Sequence, residues 1–256
     1  MMDRSTIRRR LEEMQHQHGV KILYACESGS RAWEFASPDS DYDVRFVYIR
    51  PLADYLSIVD IPDTIEAQDF EEDFDAVGWD IKKVLGQTWK SNANLYEWFY
   101  SPIVYWDDDN SANVLRRLAK SYFCEKRVMQ HYLGLAKKYQ KAVVVEQVKL
   151  KSYFYLLRAV YCAEWVRKFH SQPPVLLQET RESLCLTRGI DPIIEDWLML
   201  KAKHNEKYCI DRNEHINQIL SELMNINQSY VNSIEALRSK PDELNAYFYQ
   251  RLNVCT

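Results

Sequence analysis

Residues 28–45 read SGSRAWEFASPDSDYDVR. This stretch follows the apolar run KILYACE, which has the composition of a short buried strand. Gly29 and Ser30 end that strand, and ten residues later a second strand pattern begins at Asp41. Alternation along a strand places Asp41 and Asp43 on one face, where like charges repel. The pattern therefore predicts a positively charged partner between the two carboxylates.

Length and charge limit the class of protein. The chain has 256 residues, 27% of them charged and 46% apolar, which suits two modest globular domains or one large domain. The net charge of −4 argues against a broad basic surface for nucleic acid but is compatible with a local basic groove. No apolar run approaches the roughly 20 residues of a membrane span, and the N-terminal residues carry charges unlike a signal peptide. We expect a cytoplasmic protein without a membrane partner.

Cysteine and histidine spacing does not indicate structural zinc. The six cysteines are scattered, no two form C-x-x-C, and none has a histidine at zinc-finger spacing. We expect reduced thiols. His16 and His18 form an isolated pair on a predicted helix, which is typical of solvated residues.

Strand patterns fall in the first hundred residues, and helical patterns fill the rest. A helix is predicted over 4–18, and strands are predicted over 21–28, 41–49 and 73–79. Helical periodicity then dominates at 111–141, 146–170, 173–188, 191–203, 211–237 and 241–251. This division predicts an α+β fold: a domain over 1–108 with a small mixed sheet and flanking helices, followed by an all-helical domain over 109–256.

Asp41 and Asp43 are candidate metal ligands. Carboxylate oxygens suit Mg²⁺, which usually keeps water and substrate phosphate in its coordination shell. Two ions about 3.5–4 Å apart would serve an in-line phosphoryl displacement. Each feature alone is commonly structural, since a D-x-D is often a solvated strand end that Arg45 would simply balance. The Gly-Ser turn and the D-x-D together, in this order, favour the functional interpretation.

The Gly-Ser turn is a candidate phosphate site. Gly29 lets the backbone approach a ligand closely and adopt unusual dihedral angles. The amides of Ser30 and Arg31, at the start of the next helix, would donate to phosphate oxygens, as would the Ser30 hydroxyl. Arg31 or Arg45 would neutralise charge on a triphosphate.

These motifs resemble a known group of enzymes. Gly-Ser, ten residues and then DYD are similar to the signature of the nucleotidyltransferases related to DNA polymerase β. ESGSRAWEFASPDSDYDVRFVYIRP, GWDIKKVL, SNANLYEWFYSPIVY and KLKSYFYLLRAVYCAEWV followed by PP resemble the bacterial RNA-repair-pathway DNA polymerase β family, from about residue 20 to 180. Glu34 departs from the pattern, because we expect glycine there. The resemblance implies a nucleotidyltransferase catalytic domain over 1–108 and a helical substrate-binding domain over 109–256.

The resemblance also implies a third carboxylate from a later strand. Asp73, Asp75 and Asp80 are the candidates. We prefer Asp75 because it sits deeper in the predicted strand than Asp73, whereas Asp80 has a competing role as N-cap of the next helix. Asp75 would act as metal ligand and as general base for the acceptor hydroxyl.

Basic residues in the helical half are candidates for ligand contacts. Lys151, Tyr155 and Arg158 lie at spacings of four and three, hence on one helix face, which a triphosphate, a base or an acceptor strand could meet. The alternative is a solvated basic face. Lys82 and Lys83 near a helix start oppose the helix dipole, so a phosphate contact would explain them.

The sequence thus predicts a Mg²⁺-dependent nucleotidyltransferase, with Mn²⁺ as an alternative metal, that moves a nucleoside monophosphate from an NTP to a hydroxyl. The predicted catalytic metal ligands are Asp41, Asp43 and Asp75. The predicted nucleotide-binding residues are Gly29, Ser30, Arg31, Arg45, Lys151, Tyr155 and Arg158. The acceptor could be an RNA 3′ end, a protein or a small molecule. A non-catalytic, antitoxin-like nucleotide-binding protein is a further alternative. Base preference and oligomeric state stay open.

Overall fold

Five strands from the first half of the chain form one mixed sheet. The computed structural model describes residues 2–69, 73–185, 189–236 and 239–253. The strands are β1 (Lys21–Glu27), β2 (Tyr42–Ile49), β3 (Thr64–Asp69), β4 (Phe74–Asp80) and β5 (Val104–Asp107). Their order in the sheet is β3-β4-β2-β1-β5, with β2 and β4 parallel and the other neighbours antiparallel. The predicted α+β class with a mixed sheet is therefore confirmed.

Helices make up most of the remaining structure. Numbered along the chain, they are α1 (Arg4–His18), α2 (Gly29–Ala32), α3 (Leu52–Tyr55), α4 (Ile81–Trp89), α5 (Ala93–Phe99), α6 (Ser111–Ser121), α7 (Glu125–Gln140), α8 (Leu150–Phe169), α9 (Leu177–Leu184), α10 (Asp191–Lys203), α11 (Glu214–Ser233) and α12 (Asp242–Arg251). None of the helices in the described ranges is both long and apolar enough to cross a membrane.

Two compact units divide the chain. The first comprises Met1–Gly29, Asp41–Tyr122 and Ser239–Thr256, and it contains the five-stranded sheet. The second comprises Ser30–Ser40 and Phe123–Arg238. These limits differ from the predicted domains of 1–108 and 109–256, because contacts group residues 30–40 with the second unit and residues 109–122 and 239–256 with the first. The functional assignment of those domains stays a prediction.

Alternation along β2 builds the core of the first unit. The side chains of Val44 and Phe46 are fully buried in one cluster with Ile7 and Leu11 of α1. Since successive side chains of a strand point to opposite faces, Asp43 lies on the other face of the sheet. The hydrophobic pattern of β2 therefore directs the polar residues of the motif away from this core.

The second unit has its own core around α8. Segment 30–40 contributes Phe35, whose ring stacks on that of Phe154 with centroids 5.1 Å apart. A short antiparallel ribbon of β6 (Gln147–Lys149) and β7 (Cys209–Asp211) accompanies the helices. The C-terminal part is helical as predicted, and the ribbon is an addition that the sequence pattern did not indicate.

Some predicted helices have other limits in the structure. The helix predicted over 111–141 is two helices, α6 and α7, separated at Tyr122–Cys124. The helix predicted over 173–188 is observed only at Leu177–Leu184, and residues 186–188 lie outside the described residues. Residue 237, at the end of the helix predicted over 211–237, also lies outside them. Strands β3 and β5 were not predicted.

Candidate active site

Two aspartates from different strands lie side by side at one end of the sheet. Asp43 of β2 and Asp75 of β4 are direct partners in the parallel register. Their side chains are 30% and 24% exposed, so both carboxylates are accessible to solvent. Asp41 is exposed and immediately precedes β2. The structure therefore brings Asp43 and Asp75, which are distant in sequence, into one pair.

Arg45 provides positive charge between these two carboxylates. Its Nη2 donates to Oδ1 of Asp43 at 2.9 Å and to Oδ2 of Asp75 at 2.8 Å. Its Nη1 donates to the carbonyl oxygens of Val44 and Asp75, both at 3.0 Å. One guanidinium thus offsets the repulsion between the two acids, and hydrogen bonds of this charge-assisted kind are among the stronger ones in proteins.

Gly29 allows the Asp43 carboxylate to approach the backbone of the Gly-Ser turn. Its φ is +63°, and a Cβ at this position would lie 2.1 Å from Oδ2 of Asp43. The amide of Ser28 also donates to the carbonyl oxygen of Asp43 at 2.8 Å. Any side chain at position 29 would therefore displace the carboxylate, which explains the glycine.

Glu27 fixes Asp43 from the buried side. Its side chain is fully buried; Oε1 accepts from the amide of Asp43 at 2.9 Å, and Oε2 accepts from the Tyr105 hydroxyl at 2.6 Å. Glu27 was not predicted as a site residue from the sequence. Its position directly before Ser-Gly-Ser, at the end of a strand, was the one available signal.

The three candidates for the third carboxylate occupy different places. Asp75 faces Asp43, and its Oδ1 accepts from Gln68 Nε2 of β3 at 3.1 Å. Asp73 was predicted on the strand, but it lies before β4 and has φ of +50°. Its carbonyl oxygen accepts from the Tyr42 amide at 2.7 Å. Of these two, only Asp75 shares the register of Asp43.

Asp80 lies at the other end of β4, five residues from Asp75 and hence roughly 17 Å along the strand. As predicted, it is the N-cap of α4, accepting from the Lys82 amide at 2.8 Å, and it also accepts from the Tyr55 hydroxyl at 2.8 Å. Burial raises the pKa of Asp80 above its ordinary value. These contacts give Asp80 a structural role remote from Asp43.

Lys82 and Lys83 also lie at that remote end. Lys82 is exposed in the first turn of α4. Lys83 pairs with Asp63 at 2.8 Å, and its Nζ lies 5.0 Å from the ring centre of Trp79. Neither lysine is brought to the Asp43–Asp75 pair, so a phosphate contact there is not supported.

The other predicted nucleotide-binding residues belong to the second unit. Ser30 is buried, and Arg31 donates from Nη2 to the carbonyl oxygen of Ser40 at 2.6 Å. The Tyr155 ring packs against Trp33 with centroids 5.4 Å apart, and the Arg158 guanidinium carbon lies 4.1 Å from the Trp33 ring centre. Tyr155 and Arg158 thus hold segment 30–40 on the helices.

Lys151 joins an ionic cluster on the same segment. Its Nζ contacts Glu206, whose other oxygen accepts from the Ser40 hydroxyl at 3.0 Å. Burial acts to raise the pKa of Glu206, but the Lys151 hydrogen bond and charge, together with Ser40 and Lys201, outweigh it and lower that pKa. Lys201 is buried and donates to the Ser37 hydroxyl, and its burial lowers its pKa.

The donor set at the carboxylate pair fits a hard divalent cation. Among the described residues, no three His, Cys, Asp or Glu side chains form a metal-binding group. Mg²⁺, however, is usually held by one or two carboxylates together with water and substrate phosphate, which Asp43 and Asp75 match. The five cysteines in the described ranges are free thiols, and Cys255 lies outside them.

Glu34, which departs from the expected glycine, adopts φ of +66°. This left-handed conformation is one that glycine adopts without steric cost. The backbone of the turn therefore has the shape for which glycine is suited, although the side chain differs. The departure lies outside the carboxylate pair.

Comparisons with known proteins place the chain in a family. A protein of Bacillus subtilis (strain 168), Uncharacterized protein YcgL, is 40% identical over 166 residues, which is 64% of either chain, so the match spans just under two thirds of that relative. A crystal structure of a nucleotidyltransferase-like protein from Exiguobacterium sibiricum 255-15 is similar with a TM-score of 0.34 and 10% identity, covering 96% of this chain and 80% of that one. Likeness at that level supports no functional inference. A family model matches residues 3–250, and the chain belongs to the RNA repair pathway DNA polymerase beta family.

Proposed function

We propose that the protein is a Mg²⁺-dependent nucleotidyltransferase that moves a nucleoside monophosphate from an NTP to a hydroxyl acceptor and releases pyrophosphate. One observation carries the proposal: Asp43 and Asp75 are register partners, and the Asp43 carboxylate lies against the glycine of a Gly-Ser turn. Membership of a polymerase-β-like family supports chemistry of this class.

The carboxylates of Asp43 and Asp75 would hold the metal, with Mn²⁺ as a substitute for Mg²⁺, and the exposed carboxylate of Asp41 would join them when the metal binds. Bound there, the metal would offset phosphate charge and favour ionisation of the acceptor hydroxyl. Asp75 would accept the acceptor's proton at a carboxylate oxygen. The acceptor oxygen then bonds to the α-phosphorus while the bond to pyrophosphate breaks.

Several residues would position the reacting groups rather than exchange protons. Glu27 holds the Asp43 amide, and Gly29 leaves space for the Asp43 carboxylate. A carboxylate that is fixed in this way before substrate arrives contributes to catalysis through orientation. The amides of Ser30 and Arg31 follow Gly29 directly in the chain and are the proposed phosphate donors.

Nucleotide contacts by Arg45, Lys151, Tyr155 and Arg158 are also proposed. In the structure these side chains already have protein partners, so a nucleotide would have to share or replace those contacts. For Arg45 this exchange is natural, because a triphosphate offers the same kind of acceptor oxygens as the carboxylates.

The acceptor we favour is an RNA 3′ end, in keeping with the family's description as an RNA repair pathway family. The net charge of −4 suits a short terminal contact better than a long nucleic-acid footprint. A small-molecule or protein hydroxyl is the alternative acceptor for the same carboxylates.

The test is transfer of label from each α-³²P-labelled NTP to total cellular RNA in Mg²⁺ or Mn²⁺. The variant Asp41→Asn/Asp43→Asn should transfer no label. The matched control, Asp108→Asn/Asp109→Asn, removes two aspartates of the same unit that pair with Arg251, and it should retain transfer.

Three other results of the labelling experiment would contradict or replace parts of the proposal. Equal labelling by the Asp41→Asn/Asp43→Asn variant would contradict the carboxylate site. Label found only in protein or metabolite fractions would replace RNA with those acceptors. Thermal stabilisation by Mg²⁺ and NTP with no transfer to any fraction would favour the non-catalytic, nucleotide-binding alternative.

A further inference from the structure

We propose that Arg45 and the divalent cation compete for the same two carboxylates, so that Arg45 holds the Asp43–Asp75 pair together before the cation binds and releases it afterwards. This inference rests on the proposed metal-dependent function. It assigns Arg45 a positioning role that is distinct from its predicted contact with the triphosphate.

The geometry directs both occupants to the same two oxygens. Nη2 of Arg45 lies 2.9 Å from Oδ1 of Asp43 and 2.8 Å from Oδ2 of Asp75, so one nitrogen donates to both of these oxygens. Mg²⁺ binds oxygen ligands at about 2.0–2.1 Å. A cation held by the same two oxygens would therefore compete with Nη2 for both of them.

Arg45 holds the two carboxylates as long as its guanidinium is the positive charge between them. Release therefore requires a different positive charge at the carboxylates. A divalent cation supplies twice the charge of Arg45 to the same oxygens, and it would relieve the repulsion that Arg45 now offsets.

A second set of contacts would keep the released side chain near the site. Nη1 donates to the carbonyl oxygens of Val44 and Asp75, each at 3.0 Å, and these acceptors are backbone atoms that a metal at the carboxylates need not occupy. The Arg45 side chain is only 17% exposed, so its freedom to move into solvent is limited. After release, Nη2 would be free to donate to substrate phosphate.

The experiment measures Mn²⁺ affinity by calorimetry and by electron paramagnetic resonance of the free ion, without nucleotide. Arg45→Gln should bind Mn²⁺ about tenfold more tightly than the wild type, the factor expected when one competing charge-assisted contact is removed. Arg45→Lys keeps the charge but loses the two-nitrogen guanidinium group, so its Mn²⁺ affinity should be intermediate. Arg251→Gln is the matched control, because Arg251 also bridges two aspartates, Asp108 and Asp109. The Mn²⁺ affinity of this variant should equal that of the wild type.

Two failures are distinguishable. If the wild type binds Mn²⁺ and Asp43→Asn abolishes binding, but Arg45→Gln and Arg45→Lys bind no more tightly than the wild type, the competition is overturned while the metal site stands. If the wild type binds no Mn²⁺, or Asp43→Asn binds as well as the wild type, both the competition and the proposed metal site are overturned. Should Arg45→Gln fail to fold, the Arg45→Lys comparison decides the question alone.

Discussion

Asp43 and Asp75 are direct register partners on the parallel strands β2 and β4. Their pairing places two carboxylates at adjacent positions across the strands, which costs free energy unless a cation lies between them. Arg45 meets this need in the structure, with an ion pair to each acid. The site therefore depends on the pairing of β2 with β4 as much as on the identity of either aspartate.

Gly29→Ala should reduce nucleotidyl transfer by roughly a hundredfold, because its Cβ would displace the Asp43 carboxylate and a shift of about 1 Å has that effect on rates. Gly19→Ala is the matched control, since Gly19 has φ of +60° but nothing within 4 Å of an added Cβ. Urea unfolding should show a loss of about 1 kcal/mol for Gly19→Ala from backbone strain, and a larger loss for Gly29→Ala because its Cβ also displaces the carboxylate. An equal reduction of the transfer rate in Gly29→Ala and Gly19→Ala would contradict a role for the close approach of the Asp43 carboxylate to Gly29.

Glu34→Gly should raise the free energy of unfolding by about 1 kcal/mol, because Glu34 has φ of +66° and glycine adopts this conformation without strain. Glu34→Ala keeps a Cβ and should give no such gain. Chemical denaturation of both variants beside the wild type measures the difference. Equal stability of the glycine and alanine variants would mean that the backbone at this turn is not strained.

Structural features that depend on neighbouring residues were predicted well. The apolar spacing of α1, the strand character of β1 and β2, and the N-cap role of Asp80 all follow from sequence and are confirmed by the structure. Each is decided by residues a few positions apart. The Gly-Ser turn likewise indicates unusual dihedral angles, and Gly29 adopts a positive φ of +63°.

Features that depend on distant segments were not predictable. The β2–β4 register, which pairs Asp43 with Asp75 and not with Asp80, joins residues from separate strands, and no local pattern encodes it. Strand β3 reads TIEAQD, whose polar residues mask its alternation, and β5 has only four residues. The ribbon of β6 and β7 is formed by three-residue strands, too short for a periodic signal.

Glu206 should make stability depend on acid pH. Burial opposes its ionisation, but Lys151, Ser40 and Lys201 together hold the pKa of Glu206 below its ordinary value of 4.5. The lowered pKa means that this stabilisation is present above pH 4.5 and is lost as the pH falls through the folded-state value. Glu206→Gln should therefore be less stable than the wild type near neutral pH, with a difference that shrinks in acid.

Urea unfolding over a pH series measures this difference. Lys151→Met provides the control, because in its background Glu206→Gln should have a smaller effect if the two side chains are coupled. A difference between Glu206→Gln and the wild type that does not change with pH would contradict the assignment.

The catalytic role of the Asp43–Asp75 pair is tested by the rate of pyrophosphate release from NTP for Asp75→Asn and Asp80→Asn, measured side by side with the wild type. Asparagine is a good N-cap, so Asp80→Asn should keep the start of α4 and retain nearly the full rate. Asp75→Asn should lose roughly a hundredfold or more, because it removes the proposed general base and metal ligand. A full rate in Asp75→Asn, or a loss confined to Asp80→Asn, would contradict the Asp43–Asp75 pair as the catalytic centre.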